Sequence, residues 1–244
     1  MTGAKSAAWL GLTAMVEGSN PPQARTFFVR AADVHIEHTW EGMLGMASSG
    51  SHAVRADGAF CPAGLSYSFV DPQPLITRPT YQIRPYQMFS ATGVGVVLGV
   101  WRSAIDATTA TVGGKRSSFD GSLQAELVSV QIALAEADSA YRAVRAGVQA
   151  EAEELWRVLS RAGATTPAER APLWGLLLTA PTAARESVSR LYAASSTVAW
   201  HGDHAASRAV QDIHAISVAF ERFSKLLADV GRVHTGLDPL MPVF

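Results

Sequence analysis

Histidine is the residue type of this sequence best suited to proton transfer, because imidazole changes its charge near neutral pH. Of the seven histidines, His214 lies in a segment of helical periodicity, where it could move a proton or serve a structural role between helices. His201 and His204 flank a Gly-Asp pair at a predicted helix start, which favours loop and cap roles for both. No pair of histidines has carboxylate neighbours arranged for metal binding, so we predict no metal site.

The first third of the chain, residues 1–84, has the pattern of a β-rich segment, in which short apolar runs alternate with turn residues. The predicted strands are Trp9–Val16, 25–30, 34–37, 51–55 and 58–60. A loop over residues 17–22 follows the first strand, since it contains glycine, serine, asparagine and two prolines. The proline-rich stretch 69–85 predicts a linker into the second part of the chain.

From about residue 85 onward, apolar residues recur at helical spacing. The predicted helices cover residues 86–111, 120–161, a segment that opens at Thr166, and 204–233. The first is apolar nearly all round, which predicts that it is the most buried. Thr166 is followed by a proline and, three residues on, by Glu169, which predicts a capping box. Pro181 predicts a kink or a split in that helix.

These elements predict a fold that is α+β and mainly α. Four long helices with short connections favour an antiparallel four-helix bundle. We therefore expect two domains, a short partial β domain over residues 1–84 and a C-terminal four-helix bundle over residues 85–244.

The composition limits the classes of function. Apolar residues make up 48% of the chain and charged residues 17%, so much of the helical surface is expected to face protein, as in a homo-oligomer (a dimer or a tetramer). The net charge of −1 predicts neither a nucleic-acid partner nor binding to an anionic membrane. A single cysteine, Cys61, excludes an internal disulfide framework. No leader and no run of about 18 uncharged apolar residues stands out, which predicts a cytoplasmic protein.

Several segments together resemble the acyl-CoA dehydrogenase superfamily, in particular its branch of reduced-flavin, two-component monooxygenases. The stretch 39–52, TWEGMLGMASSGSH, is similar to a family motif that precedes a strand, and Phe60-Cys61-Pro62 follows it as it does there. Lys115-Arg116 and the later segment VQIALAEA resemble the start and body of the long bundle helix. The segment SRAVQDIHA at 207–215 resembles the signature of the family's final helix, and the ending GRVHTGLDP at 231–239 is also typical of the family.

This resemblance implies a middle β domain and an acyl-CoA dehydrogenase C-terminal-like bundle. In the family a helical domain and the first strands precede this point, so we expect the chain to lack the N-terminal helical domain. A separate chain could supply that missing domain and cover the unpaired strand edges that its absence would leave.

The resemblance also implies site residues. Arg116 would contact flavin phosphates, which a guanidinium can bind with two parallel hydrogen bonds; the alternative is a solvated loop arginine. Ser49, Gly50 and Ser51 would offer hydrogen-bond donors to the flavin or form a polar turn before a strand. His214 and His52 are the candidate catalytic residues for proton transfer. The implied cofactor is reduced FAD or FMN, supplied by a flavin reductase.

Two functions follow as hypotheses. The first is a flavin-dependent monooxygenase (hydroxylase) component acting on an aromatic or polyketide-like small molecule. The second is a non-catalytic subunit or ligand-binding protein that keeps the bundle without flavin chemistry, as Ala219 suggests, because many relatives have a histidine there. Acyl-CoA dehydrogenation is disfavoured, since no glutamate occurs between Glu186 and Glu221 to take an α-proton.

Overall fold

The computed structural model describes residues 1–20 and 22–244, which form two compact units, Met1–Thr77 and Arg78–Pro242. Phe244 also belongs to the second unit. Pro21, which is part of the predicted loop 17–22, lies outside the described residues.

The first unit is built from short antiparallel strands. They are β1 (Trp9–Val16), β2 (Gln23–Arg30), β3 (His35–Glu37), β4 (Ala53–Arg55) and β5 (Ser66–Ser68). Strands β1, β2 and β5 form one sheet in the order β1-β2-β5, and β3 pairs with β4 in a second sheet. Leu10 of β1 lies opposite Val29 of β2, and both side chains are buried with Ala4 in the core of this unit. The prediction of β1 is confirmed.

Two predictions for this part of the chain are wrong. Residues 58–60 form no strand, because Gly58 adopts a left-handed conformation with φ of 68° and turns the chain. The third strand of the larger sheet is instead β5, which pairs with β2 over only three residues. The stretch 69–85 is not entirely a linker either, since it contains a short helix, α1 (Pro79–Gln82), and the first residue of the next helix.

The second unit is a helical bundle, which confirms the predicted fold class. Its long helices are α2 (Pro85–Gly114), α3 (Val128–Ala162), α4 (Pro167–Ala194), α5 (Ala205–Glu221) and α6 (Ser224–His234). Gln87 contacts Arg170 at one end of the α2–α4 pair and Thr108 contacts Ser195 at the other, so these two helices run parallel. Helices α3 and α5 run in the opposite direction, because Glu136 near the start of α3 contacts Arg190 near the end of α4 and His204 at the start of α5 contacts Thr111 near the end of α2.

Helix α4 begins at the capping box that the sequence predicts. The Glu169 N–H donates to Thr166 Oγ1 at 3.3 Å, and the Thr166 N–H donates to Glu169 Oε2 at 2.7 Å. The hydrogen bonds to Thr166 hold the pKa of the Glu169 carboxyl below its ordinary value. Pro181 does not split this helix, which continues to Ala194 while the Pro181 carbonyl accepts a hydrogen bond from Ser217.

Two predicted helix boundaries are wrong. The helix predicted over 120–161 begins only at Val128, because residues 115–127 form a hairpin-like loop and a short 3-10 turn. The helix predicted over 204–233 is two helices, α5 and α6, separated at Arg222 and Phe223.

Helix α2 combines a buried face with an exposed apolar face. Val94, Val97 and Trp101 are fully buried in the bundle. Phe89 is 63% exposed and Val96 is 45% exposed. Nine of the 30 residues of α2 are buried, against 11 of 28 in α4, so the prediction that α2 is the most buried helix is wrong. Among the described residues, α2 is the one helix whose length and composition would allow it to cross a membrane, although it packs against α3, α4 and α5. A core helix of a bundle has the same composition, so this observation carries little weight alone.

Candidate functional site

The first unit contains a polar groove in the segment that connects β3 to β4. We call it the loop groove. It has a volume of about 510 Å³ and is lined by Lys5, Trp40, Ser49, Gly50 and His52, among others. The pairing of β3 with β4 brings the two ends of the segment together, so residues 38–52 close into a compact loop. The predicted residues Ser49, Gly50 and His52 therefore lie around one groove.

His52 is held in the loop groove by a hydrogen bond that determines the tautomer of its neutral ring. Its side chain is only 4% exposed, and its Nδ1 accepts a hydrogen bond from the backbone N–H of Trp40 at 3.2 Å. Because a backbone N–H can only donate, Nδ1 must carry the lone pair, and the neutral ring bears its proton on Nε2. The ring also packs edge-on against His38, with 5.2 Å between centroids. His52 can thus donate a hydrogen bond from Nε2.

Ser49 lines the loop groove, the neighbouring Ser51 does not, and both serines are partly engaged with other residues. Ser49 Oγ and Ser51 Oγ lie 2.9 Å apart, and Thr2 Oγ1 lies 3.0 Å from Ser51 Oγ. The Ser49 carbonyl accepts a hydrogen bond from the backbone N–H of Gly3. Gly50 has a φ of 54°, a left-handed conformation that favours glycine at the point where the chain turns towards β4.

The loop is completed by a strained residue. Met46 has a φ of 53°, which is uncommon for a residue other than glycine, and its carbonyl accepts a hydrogen bond from the indole N–H of Trp40 at 3.0 Å. Trp40 thus supports the loop through both its backbone and its side chain. Such strain persists only where surrounding contacts hold it, and it is frequent at ligand-binding sites.

A second groove in the first unit contains none of the predicted site residues. It has a volume of about 560 Å³, and its lining includes the aromatic residues Trp9 and Phe28 of the larger sheet and Phe60 of the loop after β4. Phe60 is 82% exposed. Apolar residues such as Val29 and Leu65 line this groove together with the charged residues Arg30, Asp33 and Asp57.

Arg116 lies in the second unit, in the loop between α2 and α3. The loop contains a groove, the hairpin groove, with a volume of about 400 Å³. It is lined by Lys115, Arg116, three serines, Asp120 and Thr197, among others. A bridge between Arg116 and Leu123 forms the base of the hairpin, and Arg116 Nη1 donates to the Gly121 carbonyl at 2.8 Å. The arginine is exposed, so its remaining N–H groups are available to a ligand.

The hairpin groove is lined by polar and charged residues with the exception of Leu127. Ser117, Ser118 and Ser122 bring hydroxyl groups to it beside the two cations. Hydrogen bonds from Ser117 and then Ser122 lower the pKa of the Asp120 carboxyl, so this acid stays ionised near neutral pH. With Lys115 and Arg116 opposing it, the groove keeps a net charge of about +1. The lysine, arginine and serine run at 115–118 was the signal in the sequence that could have identified the serines.

His214 lies on α5 and has the opposite protonation pattern to His52. Its Nδ1 lies 2.8 Å from the Val210 carbonyl oxygen, which can only accept, so Nδ1 must carry the proton. The neutral ring therefore has its lone pair on Nε2, where it could take a proton from a ligand. The side chain is exposed. His214 lies outside both grooves as their lining residues define them.

The family is established by the helical part of the chain. Residues 91–220, more than half of the sequence, match the model of the family described as acyl-CoA dehydrogenase, C-terminal domain. The chain therefore belongs to this family. No curated protein matches the chain by sequence.

Solved structures extend the similarity to nearly the whole chain. The chain is similar to the 3-HSA hydroxylase from Rhodococcus sp. RHA1, with a TM-score of 0.87 and 19% identity over 100% of the chain. It is similar to XiaF from Streptomyces sp., solved with FADH2 and glycerol, with a TM-score of 0.80 and 19% identity over 99% of the chain. It is also similar to the dibenzothiophene monooxygenase TdsC from Paenibacillus sp. A11-2, with a TM-score of 0.79 and 16% identity over 100% of the chain.

The chain corresponds to part of these proteins. It spans 64% of the hydroxylase chain, 63% of the XiaF chain and 65% of the TdsC chain. At these sequence identities the comparisons establish a shared fold.

Proposed function

We propose that the chain is the flavin-binding part of a two-component monooxygenase that hydroxylates an aromatic or polyketide-like small molecule. The observation that carries this proposal is the hairpin groove, in which Lys115 and Arg116 lie beside serine hydroxyls on a bundle of the acyl-CoA dehydrogenase family. Two structurally similar proteins are monooxygenases or hydroxylases by name, and a third was solved with FADH2.

The hairpin groove fits the phosphate group of FAD or FMN. An exposed guanidinium, an ammonium group and several hydroxyls supply the charge-assisted donors that phosphate oxygens accept. Asp120 opposes such binding, but its carboxylate already accepts hydrogen bonds from Ser122, and Lys115 and Arg116 outweigh its charge. When bound, reduced flavin would supply the activation of dioxygen from which one oxygen atom enters the substrate.

The other predicted site residues have separate roles in this proposal. Ser49, Gly50 and Ser51 would offer hydroxyl and backbone donors to the flavin. His52 would act as a hydrogen-bond donor through Nε2, since its Nδ1 is occupied by Trp40. His214 has the base-competent Nε2 and would accept the proton of the substrate hydroxyl.

The partners follow from this chemistry. A flavin reductase would supply the reduced cofactor, and a separate chain could complete the part of the fold that this chain does not span. Exposed apolar residues on α3, Val128 and Ile132, favour a homo-oligomer, either a dimer or a tetramer. We place this assembly in the cytoplasm.

One observation favours the second candidate, a non-catalytic subunit or ligand-binding protein. Ala219, five residues further along α5 than His214, carries no group that could move a proton. The bundle could therefore persist without flavin chemistry.

Anaerobic titration of the purified chain with reduced FMN and, separately, reduced FAD distinguishes the two candidates. If the chain is the flavin-binding part of a monooxygenase, calorimetry should show saturable binding of one flavin per chain. The non-catalytic alternative expects no heat of binding for either flavin up to millimolar concentration, and this result would refute the proposal for the chain on its own. Repeating the titration with the chain that completes the fold would test the divided enzyme.

Given a binding result, His214→Ala tests the assignment of the base. The imidazole is exposed, so folding and flavin affinity should be unchanged while turnover falls by about a hundredfold, the low end for a positioned base. Unchanged turnover would remove His214 from the mechanism.

A further inference from the structure

Among the residues that the structure describes, the buried side-chain atoms without a hydrogen-bond partner occur together. They are Gln87 Oε1, Ser90 Oγ, Arg170 Nε and Trp174 Nε1. Gln87 and Ser90 lie in the first two turns of α2, and Arg170 and Trp174 lie within the first eight residues of α4. The Gln87 amide donates to the Arg170 carbonyl at 3.4 Å, so the two helix starts are adjacent. Native proteins leave few such atoms unpaired, which indicates that this place takes up an additional polar group.

Arg170 presents one edge of its guanidinium for binding. The side chain is only 5% exposed, and Nη1 donates to the carbonyl and the hydroxyl of Thr165, which fixes the plane of the group. Nε, on the opposite edge, has no partner among the described residues. The Nε edge of a guanidinium is one that binds an oxyanion through two parallel hydrogen bonds.

Arg170 forms no salt bridge with a carboxylate of the described residues, and only the nearby charge of Glu169 offsets its charge in part. Its neighbour Glu169 is already engaged in the capping box, where its oxygens accept from the backbone and the hydroxyl of Thr166. Burial, and next the nearby charge of Arg84, lower the pKa of Arg170 to about 10. A buried guanidinium without an ion-pair partner is costly, and a bound anion would lower that cost.

The helix directions add to this positive potential. Because α2 and α4 run parallel, the positive ends of both helix dipoles lie at the same end of the bundle. Arg84 is the N-cap residue of α2, and Arg170 lies in the first turns of α4. Anions bind favourably at helix N-termini of this kind.

The unpaired atoms also limit the chemistry of the ligand. Arg170 Nε and Trp174 Nε1 are donors, whereas Gln87 Oε1 is an acceptor and the Ser90 hydroxyl can act either way. A matching ligand needs acceptor oxygens and at least one O–H group, which hydrogen phosphate has and an ionised carboxylate lacks. We propose that the starts of α2 and α4 form a binding site for a small hydroxylated oxyanion of the hydrogen phosphate type. This site is distinct from the hairpin groove and does not depend on flavin binding.

The Nε–H group of Arg170 is itself a probe of this site. In a nitrogen-15 correlation spectrum, its signal can be identified by its absence in Arg170→Lys. Titration with inorganic phosphate at constant ionic strength should shift this signal saturably, whereas acetate and chloride should not. Absence of a saturable shift, or an equal response to acetate or chloride, would overturn the proposal.

Two matched arginine variants locate the binding. Arg84→Gln should weaken the apparent phosphate affinity at the Arg170 signal about tenfold, the effect of one charge-assisted contact. Arg116→Gln removes a cation from the hairpin groove instead and should leave that affinity unchanged. The opposite result, loss in Arg116→Gln alone, would show that phosphate binds at the hairpin and would overturn the site. Gln87→Leu, which removes the acceptor without a charge change, provides a second test if Arg84→Gln fails to fold.

Discussion

The hydrogen bonds of His52 and His214 differ in direction, and this difference separates what each imidazole can do. His52 accepts from a backbone N–H, so its other nitrogen is a donor. His214 donates to a backbone carbonyl, so its other nitrogen is an acceptor. One site residue is therefore suited to stabilise a developing negative charge and the other to take a proton, although both are histidines.

The role of Arg116 can be tested with a matched pair of variants. Arg116→Gln should weaken the affinity for reduced flavin about tenfold, because one charge-assisted phosphate contact is lost. Arg145→Gln removes an equally exposed arginine from α3, away from the hairpin groove, and should leave the affinity unchanged. Equal affinities in the two variants, measured by anaerobic calorimetry, would withdraw the assignment of Arg116.

At this scale the sequence predicts residue types but not their protonation. Arg116, Ser49, Gly50 and His52 could be proposed from short motifs. The acceptor role of His52 Nδ1 depends on the backbone of Trp40, twelve residues earlier, and on a loop held by the left-handed Met46. Neither contact has a sequence signature, since each results from how the whole loop closes.

The approach of α2 to α5 depends on a single glycine. A Cβ at Gly93 would lie 2.9 Å from Cζ of Phe220, whereas a Cβ at Gly95 would meet nothing within 4 Å. Gly95→Ala should raise the free energy of unfolding by roughly 0.5–1 kcal/mol through helix propensity. Gly93→Ala should not show this gain, because its Cβ would force the Phe220 ring to move. Its free energy of unfolding should be lower than that of Gly95→Ala by about 1 kcal/mol or more. Urea denaturation measures both, and equal stabilities would contradict the close packing.

The capping box of α4 predicts a dependence of stability on pH. The folded-state pKa of Glu169 lies below its ordinary value of 4.5, so the unfolded chain takes up the proton first as the pH falls. The stability that the ionised Glu169 carboxylate contributes is therefore complete above its ordinary pKa. This stability is lost as the pH falls through the folded-state pKa. Glu169→Gln should lower the melting temperature at pH 7 but match the wild type near pH 3.

Glu151→Gln controls for the change in net charge, because Glu151 lies within α3 and caps no helix. Glu169→Gln could instead differ from the wild type in melting temperature by the same amount at pH 7 and at pH 3. That result would show that the Glu169 charge is not coupled to folding.

The sequence predicted some helix boundaries better than others. Thr166 and Glu169 marked the start of α4 because a capping box is a local device. Leu123 and Leu127 continue the apolar spacing of α3 towards its N-terminus, yet they belong to the hairpin and the 3-10 turn. The break between α5 and α6 has no proline or glycine at Arg222 or Phe223 to announce it, so apolar periodicity alone ran through it.

At the scale of the whole molecule, the exposed apolar surface predicts self-association. Val128 is 67% exposed and Ile132 is 52% exposed, one turn apart on α3. Light scattering should give a mass of two or four times 25.9 kDa. Ile132→Glu should shift the chain towards the monomer by burying a charge in the interface, whereas Ala143→Glu, at another exposed position of α3, should not. A wild-type monomer at micromolar concentration would contradict this expectation.

The central claim is that the hairpin groove of the bundle binds the phosphate of reduced flavin. A crystal of the chain soaked anaerobically with reduced FMN tests it most directly. We expect the flavin phosphate within about 3 Å of the Arg116 guanidinium, the distance of a charge-assisted hydrogen bond. A phosphate bound away from Lys115 and Arg116, or no flavin at a saturating concentration, would contradict the claim.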